Sequence, residues 1–175
     1  FGSGSCSFDG NVSGIEYADS TDFTASGDLT WECWVYPTSF TATDGGSANR
    51  TLVSFGDSFS AAVPVVLLGT NGSVIIFDGV TDQIISNNLL SLNTWQHVAI
   101  VRASGVWSIY IGGTQQTTTW SDSTTVNPTI IRIGASSSIS VGNYEGRMDD
   151  IRYDPSNAIY TGASFTPPTQ QLPDS

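Results

Sequence analysis

The sequence predicts an all-β fold, an antiparallel sandwich of two sheets. Short apolar stretches recur at intervals of about eight to twelve residues, as they do in sandwiches. Gly-rich and Asx-Gly turn signals separate these stretches, and no window of a dozen residues shows a helical period. At 175 residues, the chain is long enough for one domain with a sizeable core.

The first half of the chain contains the strand that we expect at the centre of a sheet. Residues 29–36 alternate strictly, and both faces are apolar near the end of the run, which Pro37 stops. A polar, Gly-rich surface loop is predicted for residues 38–49. The other strands predicted in this half are residues 6–9, 15–18, 51–55, 63–68, 73–77 and 83–86.

The second half of the chain continues the same pattern. A hairpin is predicted around Gly112 and Gly113, between residues 106–111 and 114–120. Further strands are predicted at residues 95–102, 130–133 and 146–153. Residues 154–175 form a turn-rich tail that we expect to pack on the domain, with one helical turn near residues 156–160.

Charge and hydrophobicity exclude several classes of protein. Sixteen acidic residues face five arginines and no lysine, for a net charge of −11, so there is no basic stripe for nucleic acid or anionic lipid. A hydrophobic content of 39% and an aromatic content of 11% are too high for a disordered chain. No apolar run reaches the roughly 20 residues of a membrane-spanning helix. The opening Phe1-Gly2-Ser3 leads us to expect a processed product or a domain of a longer protein.

The two cysteines, Cys6 and Cys33, are both expected to face the core, because apolar residues flank each of them at two-residue spacing. With a single histidine in the chain, they cannot form a zinc site unaided. Two alternatives stay open: two buried free thiols, or a Cys6–Cys33 disulfide, which would indicate an oxidising compartment.

Six ordered segments carry a resemblance to a known family. They are SFDG at 7–10, LTWECWV at 29–35, WQHVA at 95–99, SIYIGG at 108–113, IG at 133–134 and GRMDDIR at 146–152. In this order they resemble the concanavalin A-like, laminin-G-like jelly-roll superfamily. The tail segment NAIYTGASFTPP, at 157–168, is similar to the ending of such domains in bacteriophage structural proteins.

The resemblance implies a jelly roll that recognises carbohydrate or mediates adhesion, often with bound calcium. The superfamily also includes hydrolases, so catalysis has to be judged from the residues. No two acidic residues are spaced i and i+2, the spacing that places a carboxylate pair on one strand face. We interpret His97, between Gln96 and Val98, as a packed histidine. The sequence therefore predicts a non-catalytic domain, although carboxylates from different strands could still meet.

Calcium is the cofactor that the resemblance implies. The positions that match the family are Asp9 and Asp149, on strands expected to be neighbours, with Asp150 or backbone oxygens near Gly10 and Tyr144 completing the shell. The alternative is that Asp9 serves the Asp-Gly turn and that Asp149 serves as a cap or forms a salt bridge with Arg147 or Arg152.

Sugar binding would need an exposed aromatic platform beside polar side chains. Trp120 is expected to be the most exposed tryptophan; Trp31 is expected in the core, Trp34 and Trp95 in the core or between the sheets, and Trp107 half-buried. The candidate ligand-binding residues are Tyr36, Asp57, Asn71, Asp78, Trp120 and Tyr144. For the turn residues among them, a role in turn geometry alone is the alternative.

We therefore expect a non-catalytic module at the surface of a virus particle, of the phage type, that decorates the particle or attaches it to a host glycan. Its partner would be that glycan or another virion protein, and oligomers could form through the particle. The main alternative is a carbohydrate-binding or adhesion module of a secreted bacterial protein; a glycoside hydrolase is a remote one. Both leading interpretations place the domain on a virion surface or outside the cell.

Overall fold

Twelve β-strands and one short 3-10 helix make up the part of the chain that the structure, a computed structural model, describes: residues 4–11, 13–41, 49–56, 63–135 and 142–169. The strands form two antiparallel sheets of six, packed face to face. The predicted two-sheet antiparallel jelly-roll sandwich is confirmed. No helix among these residues is long and apolar enough to cross a membrane.

Sheet A contains the first and the last strand of the chain side by side. Its order is β1-β12-β3-β8-β9-β10. The strands are β1 (Cys6–Asp9), β3 (Leu29–Pro37), β8 (Gln96–Ala103), β9 (Val106–Ile111), β10 (Thr114–Ser121) and β12 (Glu145–Asp154).

Sheet B has the order β2-β11-β4-β5-β6-β7. Its strands are β2 (Ile15–Ala18), β4 (Arg50–Ser54), β5 (Val65–Leu68), β6 (Ser73–Phe77), β7 (Asp82–Leu89) and β11 (Ile130–Ile133). β7 extends three residues beyond the predicted end at Ser86. Two of these three residues, Asn87 and Asn88, are polar, and hydrogen bonds to β10 hold them in place: Asn88 N donates to Gln116 Oε1 at 2.8 Å, and Thr117 N donates to Asn87 Oδ1 at 3.2 Å.

Alternate side chains of β3 face the core and the opposite surface of sheet A. Leu29, Trp31, Cys33 and Val35 face sheet B and are at most 1% exposed. The intervening residues, which include Glu32, Trp34 and Tyr36, stand on the opposite side of sheet A, which we call the outer face. β3 is central in its sheet, as its two apolar faces predict.

Local structure differs from the prediction at two places. Residues 156–160 form no helical turn. The short helix lies instead at Thr21–Phe23, where the Ser20 side chain accepts a hydrogen bond from the N–H of Asp22. This capping arrangement of Ser20 and Asp22 is the local signal for the helix.

The cysteines do not form a disulfide. Both are free, Cys33 buried and Cys6 exposed. Cys6 shares the inward face of β1 with the buried Phe8, as expected, but β1 is an edge strand, so the expectation that both thiols are buried is wrong for Cys6. Cys6 lies opposite Met148, and Met148 lies opposite Val35, which places β1 two strands away from β3. Two strand spacings amount to about 9.5 Å, beyond the reach of a disulfide.

The tail after β12 crosses the outer face of sheet A. Thr30 Oγ1 donates a hydrogen bond to Asn157 O at 2.8 Å, and Tyr110 Oη donates to Gly162 O at 2.9 Å. The tail therefore covers part of β3 and β9 and leaves the end of β3 near Tyr36 uncovered.

Candidate functional site

The predicted calcium ligands do not converge. β1 and β12 are neighbours, as expected, but Asp9 lies opposite Glu145, whereas Asp149 is four residues further along β12, about 13 Å away. Asp9 Oδ1 accepts hydrogen bonds from the backbone N–H groups of Asn11 and Ser13, at 2.9 and 3.1 Å. The geometry therefore supports the alternative, in which Asp9 stabilises its turn.

The backbone oxygens expected near Asp9 are also engaged by protein groups. Tyr144 O accepts from Gly10 N at 3.1 Å, and Gly10 O lies 3.5 Å from Nη1 of the fully buried Arg50. Arg50 Nη1 also donates to Asn143 O at 2.7 Å, and Nη2 lies 3.3 Å from Glu145 Oε2. The positively charged group beside these oxygens is therefore the guanidinium of Arg50.

Asp149 and Asp150 lie in an irregular part of β12. Asp149 Oδ1 accepts a hydrogen bond from Asp150 N at 2.9 Å, and Asp150 has a positive φ of 48°. Within the described ranges, no three His, Cys, Asp or Glu side chains are grouped to hold a metal ion. The residues predicted for calcium thus do not fit a calcium site.

Two of the predicted sugar-binding aromatic residues are packed inside the protein. Tyr144 is fully buried, and its ring meets Phe8 edge to face at 5.8 Å. Trp120 is half-buried and stacks on Trp107, with ring centroids 5.6 Å apart; Trp107 is itself 1% exposed. Tyr144 therefore offers no open ring face to a sugar, and Trp107 covers one of the two ring faces of Trp120.

The predicted turn residues serve their turns. Asn71 and Asp78 lie at opposite ends of β6 and so do not share a rim. Asn71 Oδ1 accepts from Ser73 N at 3.0 Å. Asp78 Oδ1 accepts from the N–H groups of Val80 and Thr81, both at 2.7 Å, and hydrogen bonding from this backbone lowers the pKa of the Asp78 carboxyl. Asp57 lies outside the described residues.

An aromatic pair does occur on the outer face, and it includes the predicted Tyr36. Tyr36 and Trp95 have ring centroids 5.5 Å apart at an angle of 52°, and both are half-buried. Arg147, which is exposed, lies directly opposite Tyr36 on β12. In the next row Asp149 lies opposite Trp34. We call this surface, formed by Trp34, Tyr36, Trp95, Arg147 and Asp149, the aromatic platform.

Trp34 and Trp95 were predicted to be core or inter-sheet residues, and this is wrong. The parity of β3 would have revealed the position of Trp34, because the strand alternates and Trp31 and Cys33 both point inward. Trp95 immediately precedes β8, so the hydrophobic run that follows it is a poor guide to its orientation.

The loop before β8 is held rigidly, which fixes Trp95. Gln96 Oε1 accepts from Ser91 N at 3.0 Å, while Gln96 Nε2 donates to the carbonyl oxygens of Ser91 and Thr94 at 3.0 and 3.2 Å. Asn93, at a positive φ of 56°, donates its N–H to Pro37 O at 2.8 Å. Side-chain and backbone hydrogen bonds therefore fix the position of the Trp95 indole.

A buried polar cluster lies beside the platform, under the tail. Glu32 Oε2 lies 2.9 Å from His97 Nε2 and accepts a hydrogen bond from Tyr160 Oη at 2.8 Å, and Oε1 pairs with Arg152. Glu32 and His97 are at most 1% exposed, so His97 is packed, as predicted. Phe165 lies edge to face against the His97 ring at 5.6 Å.

The environment of Glu32 keeps it ionised. Burial raises the pKa of its carboxyl, but the hydrogen bonds from His97 and Tyr160 and the charge of Arg152 outweigh burial and lower it below 4.5. Burial, with the hydrogen bond to Glu32, raises the pKa of the Tyr160 hydroxyl well above its usual value of 10.0. Glu32 is therefore a carboxylate with both oxygens engaged and with the tail above it, an unsuitable arrangement for a general acid.

The sequence also matches a family model, over residues 9–154. The model describes concanavalin A-like lectins and glucanases, and it covers all of the chain from the end of β1 to the end of β12. The chain belongs to the concanavalin A-like lectin/glucanases superfamily. Among curated proteins, none matches the sequence.

Several solved structures have the same fold. A heptameric SAP-like pentraxin from Limulus polyphemus is 14% identical, with a TM-score of 0.63 over 86% of this chain and 75% of its own. A putative carbohydrate binding protein from Bacteroides ovatus is 17% identical, with a TM-score of 0.67 over 87% of this chain and 43% of its own. Domain 4 of the extracellular arabinanase AbnA from Geobacillus stearothermophilus, in complex with arabinotriose, is 17% identical, with a TM-score of 0.60 over 83% of this chain and 67% of its own.

Proposed function

We propose that this chain is a non-catalytic glycan-binding module and that the aromatic platform is its binding site. The observation that carries the proposal is the half-buried pair Tyr36 and Trp95 beside the exposed Arg147. Rigid aromatic rings offer apolar area to the C–H face of a sugar, and charged side chains at their edge bind its hydroxyl groups. Arg147 and Asp149 supply a donor and an acceptor at that edge.

The superfamily and two of the similar structures support a sugar as the ligand. A putative carbohydrate binding protein and an arabinanase domain in complex with arabinotriose share this fold. Binding at the platform requires no calcium, because its polar groups are side chains of the protein and the oxygens expected around a metal accept hydrogen bonds from Gly10 and Arg50 instead.

The setting that we propose is the surface of a virus particle, where the module attaches the particle to a host glycan. The tail segment at 157–168 and the net charge of −11, which keeps closely spaced copies apart, favour this setting. A module of a secreted bacterial adhesion protein would use the same platform. The engagement of both Glu32 oxygens argues against a hydrolase built on this face.

The test is a glycan array probed with the wild type, Tyr36→Ala and Trp95→Ala, each with and without a chelator. We expect wild-type binding that is insensitive to the chelator and at least about tenfold weaker in each variant. Tyr17→Ala is the matched control, because Tyr17 is 48% exposed and lies on sheet B. Full binding by both platform variants would exclude this site, and silence of the folded wild type would favour another virion protein as partner.

A further inference from the structure

Protein groups hold four of the five arginines in the chain, and Arg147 is the exception. Carboxylates pair with three of the four, Arg50 with Glu145, Arg132 with Glu16 and Arg152 with Glu32, and the fourth, Arg102, donates to the backbone oxygens of Ala25, Gly27 and Thr124. Across the described part of the chain, no hydrogen bond, ion pair or ring contact engages the guanidinium of Arg147, and the residue is exposed. Its N–H donors are therefore available to a ligand.

The Arg147 side chain stands on the outer face of sheet A, beside the aromatic rings. Met148, the next residue of β12, is fully buried in the core, so Arg147 points the other way. Arg147 lies opposite Tyr36, whose own neighbour Val35 is buried in the core. Side chains directly opposite each other in an antiparallel pair share a face, with Cβ atoms about 4.5–5.5 Å apart. A sugar that stacks on Tyr36 is therefore within reach of the Arg147 guanidinium.

The acidic residues on either side of Arg147 in β12 do not neutralise it. Glu145 and Asp149 are each two residues away, on the same face of the strand. Glu145 Oε2 pairs with Arg50 Nη2 at 3.3 Å, and Asp149 Oδ1 accepts a hydrogen bond from Asp150 N at 2.9 Å. The positive charge of Arg147 is thus left for an external anion. A carboxylate suits it, because the planar fork of a guanidinium binds a carboxylate through two parallel hydrogen bonds.

The surrounding charge limits the number of negative groups on the ligand. The chain has a net charge of −11, and Glu145 and Asp149 flank Arg147. A polyanion with a charge on every sugar would gain one ion pair at Arg147 and would be repelled by the rest of the surface. A single carboxylate among neutral sugars gains the same ion pair with far less repulsion.

We infer that the aromatic platform selects oligosaccharides that carry a single carboxylated sugar, a uronic or sialic acid, and that Arg147 is the residue that recognises the carboxylate. The rings of Tyr36 and Trp95 would hold the sugar, and the free guanidinium would bind its acid group. This specificity rests on the proposed function, since it requires a glycan on the platform.

An array of matched sugars tests this specificity. Oligosaccharides that each carry one uronic or sialic acid are printed as the free acid and as the neutral methyl ester, with heparin as the densely charged comparison. We expect the wild type to bind its best acid at least about tenfold more tightly than the corresponding ester, because the ester loses the charge that pairs with Arg147. Heparin should bind more weakly than that acid.

Variants assign the preference to Arg147. Arg147→Gln should bind acid and ester equally, at the level of the ester in the wild type, and Arg147→Lys should keep only part of the preference because it keeps the charge without the fork. Tyr36→Ala should weaken the binding of both forms. Thr125→Glu is the matched control: it lowers the net charge by one, as Arg147→Gln does, but at an exposed position. Thr124 next to it contacts Arg102 at the start of β3, the end away from Tyr36, so the preference should survive.

The outcomes separate this specificity from the glycan site itself. Equal binding of acid and ester by the wild type, a preference that survives Arg147→Gln, or tighter binding of heparin would overturn the role of Arg147. If Tyr36→Ala weakens binding in those cases, the platform remains a glycan site with another specificity. If no sugar binds the folded wild type, or if Tyr36→Ala binds normally, the proposed function fails as well.

Discussion

Tyr160 Oη donates a hydrogen bond of 2.8 Å to Oε2 of Glu32, a residue 128 positions earlier in the chain. This contact joins the tail to the middle of sheet A, and it delivers a neutral donor to a buried carboxylate. The tail is therefore fixed by a polar contact as well as by Tyr160 and Phe165, whose stacked rings, with centroids 3.6 Å apart, both contact Tyr110 of β9.

Tyr160→Phe should lower the free energy of unfolding by about 1–3 kcal/mol, because it removes one donor from a buried charge while keeping the ring. Urea denaturation measures the change. Tyr17→Phe is the control, since the Tyr17 side chain is exposed, and it should cost less than about 0.5 kcal/mol. Equal effects of the two variants would show that the hydrogen bond to Glu32 does not hold the tail.

The protein should lose stability in acid as Glu32 becomes protonated. Its pKa is lowered in the folded state, so its contribution to stability is complete above the ordinary value of 4.5 and is lost as the pH falls through the folded value. Glu32→Gln should be destabilised at pH 7, and the difference from wild type should shrink toward pH 3. Urea denaturation across this range, with Asp82→Asn as an exposed control, measures it. A constant difference at every pH would contradict the prediction.

Gln96→Ala should weaken glycan binding roughly three- to tenfold. The Trp95 loop loses its hydrogen bonds to the Gln96 side chain, so the loop must be ordered when the glycan binds, and the entropy lost in ordering it reduces the affinity. Calorimetry with the best sugar from the array measures the affinity. The control is Gln83→Ala, which removes a glutamine that likewise anchors a turn, at Asp78 and Thr81, away from the platform. If Gln83→Ala weakens binding as much, Trp95 placement is not the cause.

Arg50→Lys should destabilise the protein by about 2 kcal/mol or more, because an ammonium group cannot reach the separate acceptors that the guanidinium bridges. Thermal or urea unfolding gives the value, and Arg147→Lys, at an exposed position, should change it by less than about 0.5 kcal/mol. Millimolar calcium should leave the melting temperature of the wild type unchanged; a rise of several degrees would show a metal site that Arg50 does not replace.

A thiol reagent should modify one cysteine in the native protein and two after unfolding, since Cys6 is exposed and Cys33 is buried. Burial also raises the pKa of the Cys33 thiol, which slows its reaction further. Mass spectrometry after alkylation without reductant counts the thiols. No modification in the unfolded chain would instead indicate a disulfide.

The strands of this fold could be predicted from the sequence because alternation and turn residues are local signals. The inward positions of Trp31 and Cys33 follow directly from the two-residue period of β3. Register is not local: that Asp9 meets Glu145 and not Asp149 depends on how two strands 136 positions apart align. Arg50 donates to Gly10 O, one of the oxygens predicted to bind a metal, and the residues next to Arg50 in the sequence do not indicate this contact.

The partners of Glu32 could not be predicted for a similar reason. His97 and Arg152 come from different strands and Tyr160 from the tail, so the cluster exists only once sheet A has formed and the tail has crossed it. Part of the aromatic platform could be predicted, because Tyr36 was a candidate residue and Trp34 lies on the same face of β3. The place of Trp95 on the platform could not be predicted, since its orientation depends on the hydrogen-bonded loop before β8.

The pairing of β1 with β12 has a consequence for the nascent chain. At roughly 5–20 residues per second, a ribosome makes β1 on the order of ten seconds before β12, the one described strand that pairs with β1 in sheet A. During that time the Cys6–Asp9 segment has no strand to pair with, and the central β3 lacks one of its two neighbours. Sheet A therefore becomes complete only after synthesis has passed residue 154, and a chaperone or a growing neighbour could contact its open edge until then.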